Sequence, residues 1–592
     1  MSRSARTRAG LPRRTRWSRV SNGPANGKLT KYGYSASYPV TPDAVRSTGT
    51  TEPPCDSREG ELLPRQYREF VLDGADGQGV PSLAEALQPR FRVAADGSRT
   101  VRGIWLDTFD WRLQQAGYAL EYLSGHGTYE LALVMPDGGR ICATTGKLTF
   151  PSLLECVPDG PVRDKLAQIA GVRALLPVVA SRATRRNLRV LDGEDKMVAR
   201  LILDHASVRD PAAAAPLLPL APRLTISAVR GYDAQAGRVE RLVASLPGVS
   251  VASGSALQAA LAATGQKSAG DPSEVGAGLT PAMPAGVALA SLLLRLLDTV
   301  EANVDGVIRD IDTEFLHDLR IAVRRTRAAL KLAGTALPGD LAARYAPEFR
   351  WLGQLTTPTR DLDVHLLGFS ATAARLVTAA PEDLAPLHDS LLRYREAEQR
   401  RLARGLRSAR FTCLARDWRA ALQEMAAPRA GAPRRRGAAA QAPIAGLAAG
   451  WVRRAYRRLA KAGAAITAAS AEDELHMVRK RGKELRYLLE FFAALHEPVT
   501  HRSAVKELKQ LQDCLGDIQD GHVQREAIRT LAARMVDEQA APAATLLAMG
   551  ELAALLDASA SKARNDFGRR FARFTSGSNT RYATALGKVA VA

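Results

Sequence analysis

The sequence predicts an α+β protein with several domains, in which an antiparallel β-sheet or barrel precedes an all-α region built from two similar halves. Three observations predict this. Short β-favouring runs lie between residues 62 and 250, helical periodicity extends from 284 to 574, and a basic motif that begins with histidine occurs once in each half of the helical region. A chain of 592 residues is long enough for about three to four domains, each with its own core.

The charge of the chain is its most unusual bulk property. A formal net charge of +21 attracts polyanions such as nucleic acid, anionic lipid or phosphate polymer, and composition does not choose among them. No run approaches 18 uninterrupted apolar residues, and the first residues lack the plan of a secretory signal, so we expect a cytoplasmic protein with no membrane partner. The cysteines are scattered without close pairs, which is typical of a reducing compartment: Cys55, Cys142, Cys156, Cys413 and Cys514.

Composition and periodicity divide the chain into five segments. Residues 1–61 have the composition of a disordered basic tail. In residues 62–251 the pattern predicts one helix at 161–172 and strands at YREFVL, TVRGIWLDTF, YELALVM, NLRVLDG, MVARLILDHASV and RLTISAVRGY. Residues 252–283 are rich in Gly, Ala, Ser and Pro and predict a linker. The helical domain follows at 284–574, with a break that separates halves 284–426 and 444–574, and 575–592 form a tail. Shorter breaks are expected at 336–340, 378–383, 496–500 and 540–544.

The repeated motif is HDLRIAVRRTRAALKLA at 317–333 and HMVRKRGKELRYLLEFF at 476–492. Basic residues fall 3, 7 and 10 positions after each histidine, within an arc of roughly 80° on a helix: Arg320, Arg324 and Arg327 in the first copy, and Arg479, Lys483 and Arg486 in the second. Arg325 and Lys480 lie beside these stripes. A lone basic helix is usually only a solvated face. Repetition at matching offsets, the scarcity of acids and the excess of Arg over Lys favour polyanion binding instead.

Further basic rows and a second repeated element accompany the stripes. Exposed rows are predicted at Arg393, Arg400, Arg404, Arg407 and Arg410, and at Arg453, Arg454, Arg457, Arg458 and Lys461. The second element is WLGQLTTPTRDLDVHL at 351–366 and LKQLQDCLGDIQDGHV at 508–523, where Asp361 and Asp520 each follow the motif histidine by 44 residues. These carboxylates are expected to orient or balance the arginines. A metal site would need more convergent ligands, so none is predicted.

These motifs, present in both halves, resemble the CHAD domain, the conserved histidine α-helical domain, over residues 284–574. The resemblance implies two pseudo-symmetric four-helix bundles and a basic cleft that binds inorganic polyphosphate, often on polyphosphate granules. The rings of the two histidines could donate to phosphate or brace a neighbouring helix, and bracing is slightly favoured. The residues predicted to bind polyphosphate are His317, Arg320, Arg324, Arg325, Arg327, Arg400, Arg404, Arg407, Arg454, Arg457, Arg458, His476, Arg479, Lys480, Lys483 and Arg486.

The region from 62 to 251 resembles the CYTH fold, the triphosphate tunnel barrel. The resemblance rests on IWLDTFDWRLQQAGYALEYL at 104–123, on the strand pair around Arg182 to Asp192 and on AVRGYDAQAGRV at 228–239. The family's paired glutamates and lysine on the first strand have no counterpart between Glu59 and Asp73, and residues Tyr118 to Val134 contain no Arg or Lys. The resemblance therefore implies a degenerate barrel that keeps the fold and has lost the chemistry, with no cofactor and no metal.

Three functions follow as expectations. The first is a non-catalytic polyphosphate-binding protein in the cytoplasm, associated with granules and with other granule proteins as further candidate partners. The second is a metal-dependent triphosphatase or polyphosphatase, which requires that Arg182, Arg185, Arg186 and Asp204 rebuild a site. The third is nonspecific nucleic-acid binding, although aromatic residues at 5%, with Tyr487 alone near the stripes, argue against base stacking.

Overall fold

The structure, a computed structural model, describes residues 67–73, 83–85, 87–88, 90–125, 127–266, 276–427 and 438–576. The predicted tail at 1–61 lies outside these residues, as does the predicted C-terminal tail from residue 577 onwards.

The front of the chain forms an antiparallel sheet, as predicted. The strands are β1 Tyr67–Leu72, β2 Arg92–Asp107, β3 Ala119–Gly125, β4 Thr128–Val134, β5 Arg140–Thr145, β6 Leu176–Leu191, β7 Met197–Arg209, β8 Leu218–Pro219, β9 Arg223–Ala228 and β10 Val249–Val251. Their order is β10-β1-β9-β7-β6-β2-β3-β4-β5, with β8 paired to β7. Among the described residues this path has β10 and β5 at its two ends. The long β2, β6 and β7 form its centre.

The helices that accompany the sheet in the described part of the chain include α1 Arg112–Gln115, α2 Pro161–Ala170, α3 Asp233–Ala244 and α4 Ala256–Thr264. Helix α4 lies inside the segment predicted as a linker, which is therefore partly helical. Ser255 and Gln258 form a capping box at its start, and Leu257 and Leu261 are buried against the sheet. Cys142 on β5 is disulfide-bonded, so the expectation that the cysteines remain reduced does not hold for this residue.

Helices make up the rest of the chain. They are α5 Ala285–Arg309, α6 Thr313–Leu332, α7 Gly339–Leu367, α8 Phe369–Ala373, α9 Ala385–Leu406, α10 Ala409–Ala426, α11 Ala438–Gln441, α12 Ile444–Ala464, α13 Glu472–Phe491, α14 Pro498–Asp537 and α15 Ala543–Phe574. In the first half α5, α6, α7 and α9 pack together, with α10 against α5, and in the second half α12, α13, α14 and α15 follow one another in space. All four predicted short breaks separate helices.

One hydrophobic core runs through both halves and reaches the front domain. It includes Leu319 from α6 and Leu488 from α13, together with Leu176 at the start of β6. Helix α15 is long and apolar enough to cross a membrane by length and composition. It packs along α14 and buries Phe567 and Phe574 in this core.

Candidate polyanion-binding site

The two histidine-containing helices, α6 and α13, lie side by side and run antiparallel. Arg325 of α6 donates to Glu490 of α13 with an Nη2 to Oε2 distance of 2.7 Å, and Lys331 pairs with Glu484. As residue numbers rise along α6, the residue numbers of the partners on α13 fall, so the two helices run antiparallel. Arg325 and Glu484 are 159 residues apart, and so are Lys331 and Glu490. The two ion pairs are therefore related by an approximate two-fold axis between the helices.

Each helix forms because one of its faces is apolar. On α6 the buried side chains include Phe315, Leu319 and Val323, and on α13 they include Leu475 and Leu485, at the spacing of an amphipathic helix. Burial of each such side chain contributes roughly 1.5–3 kcal/mol, which fixes the helices against the common core. Their basic residues are left to face neighbouring helices or solvent.

Arg324 and Lys483 bring uncompensated positive charge from the two halves to one place. Arg324 is exposed on α6, and Lys483 is half-buried on α13. Burial, followed by the charges of Arg479, Arg324 and Arg486, lowers the pKa of Lys483 to about 8, against the opposing effect of Asp520. Within the part of the chain that the structure describes, neither Arg324 nor Lys483 forms an ion pair with a carboxylate. We call Arg320, Arg324, Arg479, Lys483 and Arg486 the central cluster.

The first arginine of each stripe is anchored to the helix that follows it. Arg320 Nη1 donates to Thr356 Oγ1 at 3.0 Å and to Thr357 Oγ1 at 2.8 Å on α7. Arg479 Nη1 donates to Asp520 Oδ1 at 2.8 Å on α14, which confirms that a carboxylate of the second repeated element orients a stripe arginine. A guanidinium carries five N–H donors, so each anchored group retains donors for a ligand.

Both histidines face the residue 43 positions later in the chain. The His476 ring approaches Gln519 of α14 with an Nδ1 to Oε1 distance of 2.5 Å, so Nδ1–H donates. Burial, followed by the charge of Arg360, lowers the pKa of His317 to about 4, which keeps its ring neutral at pH 7. The contact of His476 with the next helix supports the bracing role. Arg360 belongs to the site as well, and the TRDLDV segment that contains it could have revealed it.

Several predicted binding residues have other partners. Arg325 is half-buried in its ion pair with Glu490, and Glu490 also accepts from Arg486 Nε at 2.6 Å. Arg325 therefore joins the two halves. Arg327 lies against Gly353 of α7, where an added Cβ would come 3.1 Å from its Nη1, so the glycine lets the guanidinium approach the helix closely.

The remaining predicted residues are exposed and lie on outer rows. Arg400 pairs with Glu396 at 2.8 Å on α9. No hydrogen bond or ion pair between described residues connects these rows to the central cluster. They are Arg400 and Arg404 on α9, Arg407 directly after α9, Arg454, Arg457 and Arg458 on α12, and Lys480 on α13.

The front domain is attached directly to the start of α6. Arg173 is 1% exposed, and its guanidinium pairs with Asp318 and, at 3.3 Å, with Asp312. Asp312 also caps α6 by accepting from the backbone N–H of Phe315 at 3.2 Å. The Arg173 guanidinium lies 5.3 Å from the centre of the Phe315 ring. One buried arginine thus connects the sheet to the helix that carries the first stripe.

The sheet contains a second charged group of residues. Arg185 on β6 makes two 2.8 Å hydrogen bonds to Asp204 on β7. Glu130 on β4 is 4% exposed, and burial raises its pKa even though nearby arginines oppose this effect. Glu121 on β3 approaches Arg140 at 4.0 Å, and burial raises its pKa also.

Sequence reasoning noted Arg185 and Asp204 but overlooked the two glutamates of this group. The single acid of β1, Glu69, pairs with Arg223 at 2.7 Å. Within the described residues no group of three or more His, Cys, Asp and Glu side chains could hold a metal ion.

Comparison with known proteins identifies the helical region. The family described as the CHAD domain matches residues 291–529. The CHAD domain from the plant Ricinus communis is 25% identical, covers 50% of this chain and 94% of its own, and has a TM-score of 0.42. PptA from Streptomyces chartreusis is 20% identical, covers 49% of this chain and 99% of its own, and has a TM-score of 0.38.

The front domain is also similar to a solved structure. The adenylyl cyclase HpAC1 from Hippeastrum, whose dominant activity is described as that of a triphosphatase, is 11% identical, covers 34% of this chain and 96% of its own, and has a TM-score of 0.22. No curated protein matches the sequence.

Proposed function

Because residues 291–529 form a CHAD domain, we propose that this protein binds inorganic polyphosphate through the central cluster and does not hydrolyse it. The polymer lies across α6 and α13, so that one chain of phosphates contacts both halves of the helical domain. Association with polyphosphate granules in the cytoplasm, beside other granule proteins, follows from that affinity.

The observation that carries the proposal is the convergence of Arg324 and Lys483 from separate halves without a carboxylate partner among the described residues. Holding positive charges together in a half-buried site is unfavourable unless an anion occupies it. A guanidinium matches two phosphate oxygens, and an ammonium acts as a point charge. A linear polyanion satisfies both groups at once, whereas a single small phosphate reaches fewer of them.

Nucleic acid is a poorer fit to this surface. Single-stranded nucleic acid binds where exposed aromatic rings stack on bases beside the cations. Tyr487, the aromatic residue closest to the stripes in sequence, is 9% exposed and packs in the helical core. This surface therefore offers charge without a stacking platform.

The non-catalytic part of the proposal is supported by the charges in the sheet. Asp204 is held by Arg185, Glu121 approaches Arg140, and the acid of β1 is held by Arg223. A carboxylate that is hydrogen-bonded to arginine, as Asp204 and the acid of β1 are, is less available to a divalent metal.

The test is equilibrium binding of the full chain to fluorescently labelled long polyphosphate at fixed salt, with single-stranded DNA and ATP as competitors. The double variant Arg324→Gln/Lys483→Gln removes two cations that form no ion pair with any residue that the structure describes. The matched control, Arg238→Gln/Arg241→Gln, removes two exposed cations from α3 in the front domain. A charge-assisted hydrogen bond contributes roughly 1.5–3 kcal/mol, so we expect the first variant to lose at least about tenfold in affinity.

The control should bind almost as tightly as the unaltered chain. Equal losses in the two variants would mean that only net charge matters. Unchanged binding by the folded central variant would refute the site. A third variant, Arg454→Gln/Arg457→Gln, measures what the outer row on α12 contributes.

A further inference from the structure

The start of α6 carries acids that the rest of the helix lacks. Asp312, Glu314 and Asp318 lie in its N-cap and first two turns, whereas every charged residue after Asp318 in this helix is basic. These acids flank His317 at one end of the first stripe. A polyanion that follows the stripe to this end is repelled by the three carboxylates unless nearby cations balance them.

Two arginines of the front domain pair with these carboxylates. Arg173 pairs with Asp318 and, at 3.3 Å, with Asp312. Arg112 Nη2 lies 3.7 Å from Glu314 Oε2. The three acidic side chains are buried or half-buried at this contact, so the front domain both covers and neutralises the acidic end of the helix.

The two arginines are themselves held in place within the front domain. The carboxylate of Asp110 lies 2.8 Å from Arg112 Nε and 3.3 Å from Arg173 Nε. Arg112 Nη1 also donates to the backbone oxygen of Ala170 at 2.8 Å. The front domain therefore brings two positive charges and one negative charge to the start of α6 in a fixed arrangement.

The second copy of the repeat shows that the helical fold does not require two of these acids. The residues 159 positions after Asp312, Glu314 and Asp318 are Ala471, Asp473 and Met477, at the start of α13. Met477 is 44% exposed and Asp473 is exposed. No hydrogen bond or ion pair between described residues joins the front domain to this end of α13. Acids at 312 and 318 thus occur in the copy that the front domain contacts.

Glu314 connects this contact to the candidate binding site. Its other oxygen, Oε1, lies 3.9 Å from Arg360 Nη2 on α7, and Arg360 Nη1 donates to Thr313 O at 3.3 Å. Arg112 and Arg360 therefore share one carboxylate. Loss of Arg112 leaves Glu314 to Arg360 alone among the described cations, which adds uncompensated negative charge beside the first stripe.

We propose that the front domain is a positioning element of the polyphosphate site, and that Arg112 and Arg173 increase affinity by holding the carboxylates at the start of α6. The proposal rests on the proposed function, because it gives the front domain a part in that binding. Both arginines are positioning residues, since they act through acids of α6 and not through contact with the polymer. This role requires no triphosphate chemistry in the sheet.

The test compares Arg112→Gln with Arg163→Gln in the full chain, by equilibrium binding to labelled long polyphosphate. Arg163 is a matched control, because it is an arginine of α2 whose side chain is 29% exposed, against 31% for Arg112, and it pairs with Asp159. We expect Arg112→Gln to lose about three- to tenfold in affinity, the effect of one unit charge over several ångströms near a protein surface. Arg163→Gln should bind almost normally, and Arg112→Lys, which keeps the charge, should lose less than Arg112→Gln.

Substitution of Glu314 gives a result that a merely structural role of Arg112 would not produce. Glu314→Gln removes the shared carboxylate and should bind the polymer at least as tightly as the unaltered chain. Adding Arg112→Gln to it should then cost little affinity, because the two residues act together. In the control background Asp473→Asn, the equivalent position of the second copy, Arg112→Gln should keep its full effect. An equal loss in both backgrounds would refute action through Glu314.

Polyphosphate should in turn stabilise the contact, because coupling between two sites is reciprocal. The backbone N–H of Ala174 donates to Asp312 Oδ2 at 2.9 Å, so its hydrogen exchange reports opening of the contact. Saturating long polyphosphate should slow this exchange several-fold and leave exchange in α3 unchanged. Normal binding by Arg112→Gln, or unchanged exchange at Ala174 in a chain that binds the polymer, would overturn this inference alone. No binding by the unaltered chain would overturn the proposed function and this inference with it.

Discussion

Raising the pH from 7 to 9 should weaken polyphosphate binding by about tenfold, and the substitution Lys483→Arg should remove that pH dependence. In the free protein the amine of Lys483 has a pKa of about 8, because it is half-buried among Arg479, Arg324 and Arg486. A bound polyanion supplies the missing negative charge and should raise the pKa towards the ordinary value of about 10.4. Binding therefore takes up a proton between pH 8 and 10, and low pH favours it.

The magnitude follows from these two pKa values. If the bound form reaches the ordinary pKa, the binding constant falls by about tenfold between pH 7 and pH 9, which is about 1.4 kcal/mol. Proton uptake should be roughly 0.1 per complex at pH 7 and roughly 0.9 at pH 9. An arginine at position 483 stays charged throughout this range and should show neither effect.

Calorimetric titration with long polyphosphate at pH 7 and pH 9, in two buffers of different ionisation enthalpy, measures affinity and proton uptake together. The unaltered chain should show both trends, and Lys483→Arg should bind with nearly the same affinity at the two pH values. Equal affinity of the unaltered chain at pH 7 and pH 9, or a pH dependence that Lys483→Arg retains, would show that Lys483 does not contact the polymer.

Three further outcomes are expected. Arg173→Met leaves Asp312 and Asp318 without their buried partner. It should lower the free energy of unfolding, measured by chemical denaturation, by about 3–5 kcal/mol. A loss under about 1 kcal/mol would contradict the role given to this contact. Lys483→Met should raise the stability of the ligand-free chain by about 1 kcal/mol in the same assay, because it removes a charge that burial and the neighbouring arginines disfavour. A decrease would mean that the amine has a partner. The full chain should not hydrolyse tripolyphosphate or ATP in Mg²⁺ or Mn²⁺, and turnover that disappears in Asp204→Asn would place a working site in the sheet.

Periodicity predicted most of the elements. The run YREFVL coincides with β1 Tyr67–Leu72, and the helix expected at 161–172 is α2 Pro161–Ala170. The breaks between helices were predictable because Pro and Gly end helices locally. Helix α4 was not predicted, because a sequence rich in Ala with small polar residues also suits a linker, and the apolar surface of the sheet against which it packs is distant in sequence.

Side-chain partners between distant segments were less predictable. The two stripes were visible as repeats, but their antiparallel contact was not, so the ion pair between Arg325 and Glu490 was not predicted. The glutamates of the sheet were overlooked for a similar reason. Alternation along a strand shows that Glu121 and its neighbours face opposite sides, but it does not say which strand lies beside β3. That information comes from the order of strands in the sheet.

The most direct test of the central claim is the salt dependence of binding, because its slope counts the phosphates that one bound polymer contacts. If single-stranded nucleic acid is a fair guide, each contact contributes about 0.7 to the slope of log K against log salt. Long polyphosphate should give a slope of roughly −3 to −6 with the unaltered chain, and tripolyphosphate a much shallower one. Neutralising Arg479, Lys483 and Arg486 should bring the long-polymer slope down towards the short-ligand value. Neutralising three exposed arginines of the front domain should leave it nearly unchanged: Arg230, Arg238 and Arg241. Equal slopes for the two ligands, or a slope that the first substitution does not alter, would contradict a polymer held by both halves.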